Sequence, residues 1–449
     1  MKIKRTICGA LALVLLCFCG LGRAQDDAVK MVLDILKSGD QDMQAVAISM
    51  VKDMPGAEVT KALAVELPKL SPTSQVQLLS ALGDRGDAAA RPAVVTAAKS
   101  QDQSVRIAAL RALGQLGDDT NVVLLAQAAA GARGAEQKAA RDSLCRLRGP
   151  KVDQVILDEI PKAEAAVKVE LISGVGQRNI STGVAPLLKT AKDADRKVRT
   201  ESFRVLKVVA GPEHLPTLVK LLIEARSSSD RSECQKTVAA VAHKIEDKNN
   251  QAHAVLAALA AAKQIQSRCS LLEVLGKIGD NKALPVLIAA LEETDAEIQT
   301  AAIRSLAEWP TPEPLGDLLK VAGSSQNKLH RVLALRGFVR LLALESKRPA
   351  EKTIEMYKKA MSLAPDAGEK RRVLSGLAGA KSPGALEMAK AYLQDQTLSG
   401  EAEFAAVKIA EGIQVDFPDL AKDTLNKIIQ QTKNDTLRDQ AQEVLDKME

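Results

Sequence analysis

The 449-residue sequence has very few residues of the kinds that perform acid–base, nucleophilic or metal chemistry. Only 2% of its residues are aromatic, and four histidines serve the whole chain. None of the four is followed by glutamate, and His243 and His253 belong to different expected helices with no cysteine near them, so a zinc or iron site is not expected. Glycine-rich phosphate loops are missing from the sequence as well. We therefore predict no enzymatic activity, no metal and no cofactor.

The N-terminal segment has the three-part pattern of a secretory signal peptide. Lys2, Lys4 and Arg5 precede an apolar run over 7–21, and Gly22-Arg23-Ala24 then supplies small residues. Cleavage is predicted after Ala24, so residues 1–24 form the signal and the mature protein is exported, to the periplasm or the medium. The apolar run is shorter than the about 20 residues that span a bilayer, which disfavours a retained anchor. A lipoprotein is the other alternative.

Loss of this segment changes the charge and cysteine content of the chain. The formal net charge of +6 belongs mostly to the signal, which carries four basic residues and no acidic one, so the charge gives no reason to expect nucleic acid as a partner. Three cysteines leave with it, and Cys145, Cys234 and Cys269 are too few for a disulfide framework. Cys234 and Cys269 lie at equivalent repeat positions. Stacked helices are about 8–10 Å apart and a disulfide needs Cα atoms within about 7 Å, so we expect two free, buried thiols, with a bridge as the alternative.

A helix–turn–helix unit recurs along the rest of the chain. In the clearest copy, Asp102 or Ser104 is expected to cap the second helix and Gly117 to end it, and apolar residues follow one helical face. One such pair is too small to bury its own apolar face, so the pairs must stack on one another. The sequence therefore predicts an all-α solenoid. The best copies span 88–118, 180–211 and 281–311.

The Val-Arg-x-Ala-Ala-x-x-Ala-Leu run at 105–113, with an early proline in the first helix and an aspartate in the turn, resembles HEAT repeats of the short bacterial variety. The resemblance implies an α-solenoid of about 13 helix pairs covering nearly everything after the signal. The eleventh pair could equally be tetratricopeptide-like. The pairs are expected to begin near Asp26, Ala57, Ala88, Asp119, Pro150, Ile180, Pro212, Lys248, Asn281, Pro312, Pro349, Pro383 and Phe417.

A second resemblance concerns the tenth pair. The segments 309–315 and 332–338 are similar to part of exported bacterial HEAT proteins, whose solenoid often neighbours a jelly-roll domain assigned to sugar hydrolysis. No stretch of this chain has the alternating strands of a jelly roll, so the hydrolase activity does not carry over. We divide the mature chain into N-terminal units over 25–311 and divergent C-terminal units with a cap over 312–449.

Basic residues on second helices are the candidate binding residues. Second helices of HEAT repeats line the concave surface, so cations there could bind an acidic segment; a solvated helix face is the commoner alternative. Arg336 and Arg340 are four positions apart and share a face, as clamping of a carboxylate would require. The candidate partner-binding residues are Arg331, Arg336, Arg340, Arg141 and Arg204.

Two further arginines are expected to be structural. Arg106 and Arg199 follow Asp102 and Asp195 by four positions, as in HEAT-like units where such an arginine pairs with an acid of the turn.

Three functions remain open on the sequence. The leading hypothesis is a non-catalytic exported scaffold that binds a protein partner, possibly an acidic one, on its concave surface. The alternatives are an accessory module of a carbohydrate-processing system and, least favoured, an enzyme. The alternating charges of Asp423–Glu449 are typical of a solenoid cap, which favours a monomer. Separately, no membrane span is expected after cleavage of the signal.

Overall fold

The structure is a computed structural model that describes residues 22–51, 53–54 and 56–448. These residues form α-helices, short 3₁₀ turns and loops, with no strand among them. The all-α prediction is thereby confirmed. Most of the predicted signal peptide lies outside the described residues, so its cleavage and the export of the chain stay predictions.

The described chain forms two compact units, divided between Ala210 and Gly211. The sequence-based division at 311/312 concerned divergence of the repeats and stays a prediction. The helices of the first unit are α1 (Gly22–Lys37), α2 (Gln41–Val51), α3 (Ala57–Glu66), α4 (Pro72–Arg85), α5 (Arg91–Ala97), α6 (Gln103–Leu116), α7 (Val122–Gly131), α8 (Gly134–Arg146), α9 (Val152–Glu159), α10 (Ala165–Gln177), α11 (Val184–Thr190) and α12 (Arg196–Val209).

The second unit continues the same alternation of first and second helices. Its helices are α13 (Leu215–Glu224), α14 (Ser228–Ala242), α15 (His253–Ala261), α16 (Ile265–Ile278), α17 (Leu284–Ala290), α18 (Ala296–Ala307), α19 (Leu315–Ser324), α20 (Lys328–Leu342), α21 (Ala350–Leu363), α22 (Ala367–Leu377), α23 (Pro383–Lys390), α24 (Ser399–Ile413), α25 (Pro418–Gln431) and α26 (Asp435–Asp446).

The helices described here make 13 pairs, and each pair begins close to its predicted start. Within each unit, successive second helices, which carry the even numbers, pack against one another, and nearly all of them also pack against the first helix of their own pair. A layer of first helices and a layer of second helices result, with the apolar core between them. This is the α-solenoid that the sequence predicted. No helix within these ranges is both long enough and apolar enough to cross a bilayer.

The ends of the second helices are set by local hydrogen bonds. The carboxylate of Asp102 accepts from the backbone N–H groups of Ser104 and Val105 at the start of α6, and Asp195 and Asp295 cap α12 and α18 in the same way. Gly117 follows the last residue of α6, and its N–H donates to the carbonyl of Leu113. Both predictions for the capping of this helix are confirmed.

In nine of the 13 second helices described here, the side chain of the fourth residue reaches back to the end of the first helix of its pair. Its amide or guanidinium group donates to carbonyl groups that the first helix leaves without an intrahelical partner. Arg106 thus bonds the turn carbonyls of Ser100 and Gln101, at 2.9 and 3.0 Å, while Asp102 serves as the cap; the predicted pairing of this arginine with the turn acid is corrected accordingly. Such bonds are made by Gln44, Gln75, Arg106, Gln137, Arg199, Arg231, Gln299, Arg331 and Arg438.

Glycines allow successive second helices to approach closely. A Cβ atom on Gly276 of α16 would lie 2.7 Å from the Cα of Ser305 in α18, and one on Gly337 of α20 would lie 2.7 Å from the Cα of Ala307. Real Cβ atoms do not approach a backbone carbon this closely. The stacking of α16, α18 and α20 therefore requires glycine at these two positions.

The three cysteines of the described chain are free thiols. Cys234 is buried, whereas Cys269 and Cys145 are only partly buried. The predicted absence of a bridge between Cys234 and Cys269 agrees with the structure, but the expectation that both thiols are buried is correct for Cys234 alone. Burial raises the pKa of Cys234 to about 12.

Candidate protein-binding surface

Three second helices of the second unit form an open groove of about 410 Å³, which we call the second-helix groove. Its walls come from α14, α16 and α18, which stack because their apolar faces pack on one another and on the first helices. The side chains that determine its polarity and charge include Arg231, Gln235, Cys269, Glu273, Thr300 and Arg304.

Hydrogen bonds between neighbouring helices hold polar side chains of the groove in place. Gln235 donates to a carboxylate oxygen of Glu273 at 2.6 Å, and Gln266 donates to Glu297 at 3.0 Å. The pKa of the Cys269 thiol is raised to about 11, first by burial and then by these two glutamates and a third acid. The groove lining is therefore polar and includes the carboxylates of Glu273 and Glu297.

The groove lining also includes a cation that is available to a partner. Arg304 is exposed, and its guanidinium makes no hydrogen bond or ion pair with any residue that the structure describes. By contrast, Arg231 is engaged with the carbonyl of Ala225 at 2.9 Å. The groove thus offers carboxylate and hydroxyl groups together with the five unused N–H donors of Arg304, a combination suited to a polar polypeptide segment.

The three candidate arginines of α20 bind within the chain. Arg336 makes a bidentate clamp on Glu369, with Nε 3.0 and 3.1 Å from the two carboxylate oxygens and Nη2 2.5 Å from one of them. Arg340 donates to the carbonyls at the end of α18, including that of Ala307 at 2.6 Å. Arg331 donates to the carbonyl of Ser325 at 2.8 Å. The clamping geometry expected of Arg336 is present, but the carboxylate belongs to the next helix pair.

The two candidates of the first unit also have internal partners. Both oxygens of the buried carboxylate of Glu170 accept from Arg141, each at 2.6 Å, and this pairing raises the pKa of Arg141. Arg204 pairs with Glu201 on its own helix and donates to Ser173 at 3.3 Å. Since both arginines hold neighbouring second helices together, a role for them in partner binding stays a prediction.

The position of an arginine within its second helix is a sequence feature that identifies arginines on the second-helix surface. Arg111, Arg204, Arg304 and Arg336 are each the ninth residue of their second helix, and all four are exposed or half-buried on the second-helix surface. Arg204 and Arg336 are occupied by carboxylates, whereas Arg111 and Arg304 have no carboxylate partner within the described residues. Counting from the start of each second helix identifies these four arginines. To tell the paired ones from the unpaired ones, the neighbouring helices must be known.

The histidines take part in hydrogen bonds inside the repeats. His330 is buried and lies 2.9 Å from the hydroxyl of Thr300, and His243 lies 3.0 Å from the carbonyl oxygen of Ile278. Within residues 27–448, apart from the two gaps, no group of three histidines, cysteines or acids could hold a metal ion.

Comparison with known proteins agrees with this architecture. The family model of HEAT repeats matches residues 60–145 and 252–337. The karyopherin Kap121p is similar in structure, with a TM-score of 0.54 and 11% identity over 98% of this chain, which spans 56% of the length of Kap121p. For Kap121p bound to the SUMO protease Ulp1p, the TM-score is 0.55 and the identity 12%, with the same shares of both chains covered. For yeast importin-beta (Kap95p), the TM-score is 0.53 and the identity 11%, and the match covers 98% of this chain and 68% of Kap95p. No curated protein matches the sequence.

These findings define an all-α solenoid of stacked helix pairs that contains HEAT repeats. At such low identity the structural likeness shows the fold alone. The resemblance to exported bacterial proteins with a jelly-roll neighbour stays a prediction.

Proposed function

We propose that this protein is an exported, non-catalytic scaffold that binds a protein partner on the second-helix surface of its solenoid. The observation that carries the proposal is the second-helix groove, where Arg304 is exposed without an internal partner while the surrounding polar groups are already fixed. Side chains held in place before binding lose little freedom on binding, which favours recognition by many modest contacts.

The fold supports the same class of function. Solenoids of stacked repeats present extended surfaces that suit contact with other proteins. Kap121p, which shares this fold, has been crystallised bound to the SUMO protease Ulp1p and to Nup53p. Those partners belong to Kap121p; for this chain we propose only that the partner is a polypeptide.

Export rests on the N-terminal pattern alone. A charged start, an apolar run and small residues before Gln25 are what signal peptidase substrates contain. Cell fractionation followed by mass spectrometry of the N-terminus tests it directly: the proposal requires a mature chain that begins at Gln25, outside the cytoplasm.

Partner binding is tested by site-specific crosslinking in native periplasm or medium. A photoreactive residue is placed at Thr300 in the groove and, as the control, at Lys358, which is exposed on the first helix α21. Crosslinking of a protein from Thr300 but not from Lys358 is expected. The captured protein is then purified, and its affinity is measured for the unchanged chain, for Arg304→Glu and for the matched Lys358→Glu variant.

Arg304→Glu should weaken binding about tenfold or more, since loss of a charge-assisted contact at an interface costs at least about 1.4 kcal/mol. Lys358→Glu should bind as the unchanged chain does. Equal capture from both positions, or equal affinity of both variants, would contradict the assignment of the binding surface to the second helices.

A further inference from the structure

A second cavity lies in the same unit, away from the second-helix groove and sharing no residue with it. Its volume is about 600 Å³. The walls are formed by the end of α20 and the loop after it, by the start of α21, and by the turn that joins α22 to α23. The titratable groups on its walls are Glu345, Arg348, Tyr357 and Lys381.

Arg348 is partly buried in this wall with few partners. A guanidinium has five N–H donors, yet the contact made by this one is a long hydrogen bond of 3.4 Å from Nη1 to the carbonyl of Leu342. No carboxylate of the described chain lies within ion-pair distance of it. Burial lowers the pKa of Arg348, as expected when a charged group loses water without gaining an acid. The unused donors of Arg348 are therefore available to a molecule in the cavity.

Lys381 supplies the second cation. Its aliphatic stem packs against Gly412, where a Cβ atom would lie 2.9 Å from the lysine Cγ, so the glycine leaves room for the stem. The ammonium group has no ion pair with any described residue. The one acid on the wall is Glu345, which leaves the cavity with an excess of one positive charge.

Tyr357 closes the base of the cavity without being available as a ligand. Its hydroxyl donates to the carbonyl of Gly376 at 2.8 Å, and the ring is buried. The polar groups on the walls that remain for an occupant include the two cations, the carboxylate of Glu345 and the hydroxyl of Ser346.

We propose that this cavity binds the carboxylate of an organic ligand, held by the guanidinium of Arg348 and the ammonium of Lys381. The planar guanidinium matches the two oxygens of a carboxylate, and the excess charge of the walls equals the charge of one such group. The volume falls within the range of about 300–1,000 Å³ typical of small-molecule sites and far exceeds the size of an inorganic anion. The carboxylate could come from the C-terminus of a polypeptide or from a free organic acid.

The experiment uses the mature chain and two pairs of probes. A fluorescein-labelled pentapeptide, Gly-Ser-Ala-Ser-Ala, is compared with the same peptide ending in a carboxamide, by fluorescence anisotropy. Gluconate is compared with uncharged sorbitol, by calorimetry. Each pair differs in its carboxylate, and the two pairs distinguish a polypeptide terminus from a free acid.

Variants locate the site. Arg348→Gln and Lys381→Gln each remove one proposed contact, and Lys347→Gln is the matched control because this exposed neighbour of Arg348 does not line the cavity. At least one carboxylate probe should bind about tenfold or more tightly than its uncharged match, and both cavity variants should abolish that preference. Lys347→Gln should retain it.

A measurement on the unchanged protein guards against misfolded variants. Phenylglyoxal modifies accessible arginines, and mass spectrometry of the peptide that contains Arg348 reports the rate. The carboxylate probe that binds should slow this modification, while sorbitol and the carboxamide should not. The proposal is wrong if neither carboxylate outbinds its uncharged match, if Lys347→Gln loses as much affinity as Arg348→Gln, or if Arg348 is not protected.

Discussion

The ion pair between Arg106 and Glu136 allows the stacking energy of two repeats to be measured by one substitution. Nε and Nη2 of Arg106 lie 2.6 and 2.9 Å from the two carboxylate oxygens, and the side chain of Glu136 is only 12% exposed. The remaining donors of Arg106 bind the turn carbonyls of its own helix pair. The substitution Arg106→Gln separates these two roles, because Gln75 and Gln137 hold the same position in the flanking pairs and each bonds a carbonyl near the end of its own first helix at 2.9 Å.

The expected loss of stability is about 2 kcal/mol. Removing one partner of a fully buried pair costs about 3–5 kcal/mol, and an exposed pair contributes about 0–1 kcal/mol. The side chain of Arg106 is 26% exposed, which places this pair between the two limits. Hydrogen–deuterium exchange of peptides from α6 and α8 measures the local free energy of opening, and 2 kcal/mol corresponds to exchange about thirtyfold faster.

The pH dependence provides an independent test. Hydrogen bonds from Arg106 hold the pKa of Glu136 below its usual 4.5, so the ionised form is favoured in the folded chain. The stabilisation is complete above the unfolded-state pKa and is lost as the pH falls through the lower folded-state pKa. The difference between the unchanged chain and Arg106→Gln should therefore be largest near neutral pH and decrease below about pH 4.5.

A double-mutant cycle with Glu136→Gln decides whether the effect belongs to the pair. The variant with both substitutions should be less destabilised than the sum of the two single variants. Additive effects of the two substitutions, or a loss below about 0.5 kcal/mol for Arg106→Gln, would refute the reasoning and show that the pair behaves as an exposed surface contact.

Three further outcomes are expected. Gly276→Ala should lower the stability of the second unit by about 1–3 kcal/mol, because the new Cβ atom would lie 2.7 Å from a backbone carbon of α18. Urea unfolding measures this loss. An unchanged stability would mean that the two helices can move apart freely. Arg336→Gln should lower the folding stability by about 1–2 kcal/mol, because the carboxylate of Glu369 is buried and its arginine is 45% exposed. Its effect should combine non-additively with that of Glu369→Gln. An unchanged thermal unfolding temperature would contradict this. At pH 8 iodoacetamide should alkylate Cys234 and Cys269 slowly, since their pKa values are about 12 and about 11. Raising the pH to about 10 should accelerate alkylation of Cys269, the more accessible thiol. Rapid labelling of either cysteine at pH 8, measured by mass spectrometry, would contradict this.

Charge reversal of the three candidate arginines of α20 is unsuitable for locating a partner surface. Reversing the charge of Arg331, Arg336 and Arg340 together would remove a turn-carbonyl bond, the clamp on Glu369 and the bonds to the end of α18. A loss of partner binding in that variant would report damage to the repeats as readily as damage to a binding site. Arg304→Glu does not have this ambiguity, because no internal bond is broken.

The sequence by itself determined the repeat, its register and the ends of its helices. Gln44, Gln75, Arg106 and Gln137 follow one another at intervals of 31 residues, and Asp102 caps its helix through groups two and three positions away. These features depend on hydrogen bonds and apolar spacing within a single helix pair, so a local pattern is sufficient to predict them.

Only the tertiary structure decided which charged residues are available. Arg304 and Arg336 hold the same position in successive second helices, and nothing within their own pairs distinguishes them. Arg336 meets Glu369, the third residue of the next second helix, whereas the third residue of the helix after that of Arg304 is His330. The residue that could pair with each arginine lies about one repeat further along the chain, and stacking of the next helix pair brings it close. That residue, and not the arginine's own pair, determines whether the cation stabilises the solenoid or remains free to bind another molecule.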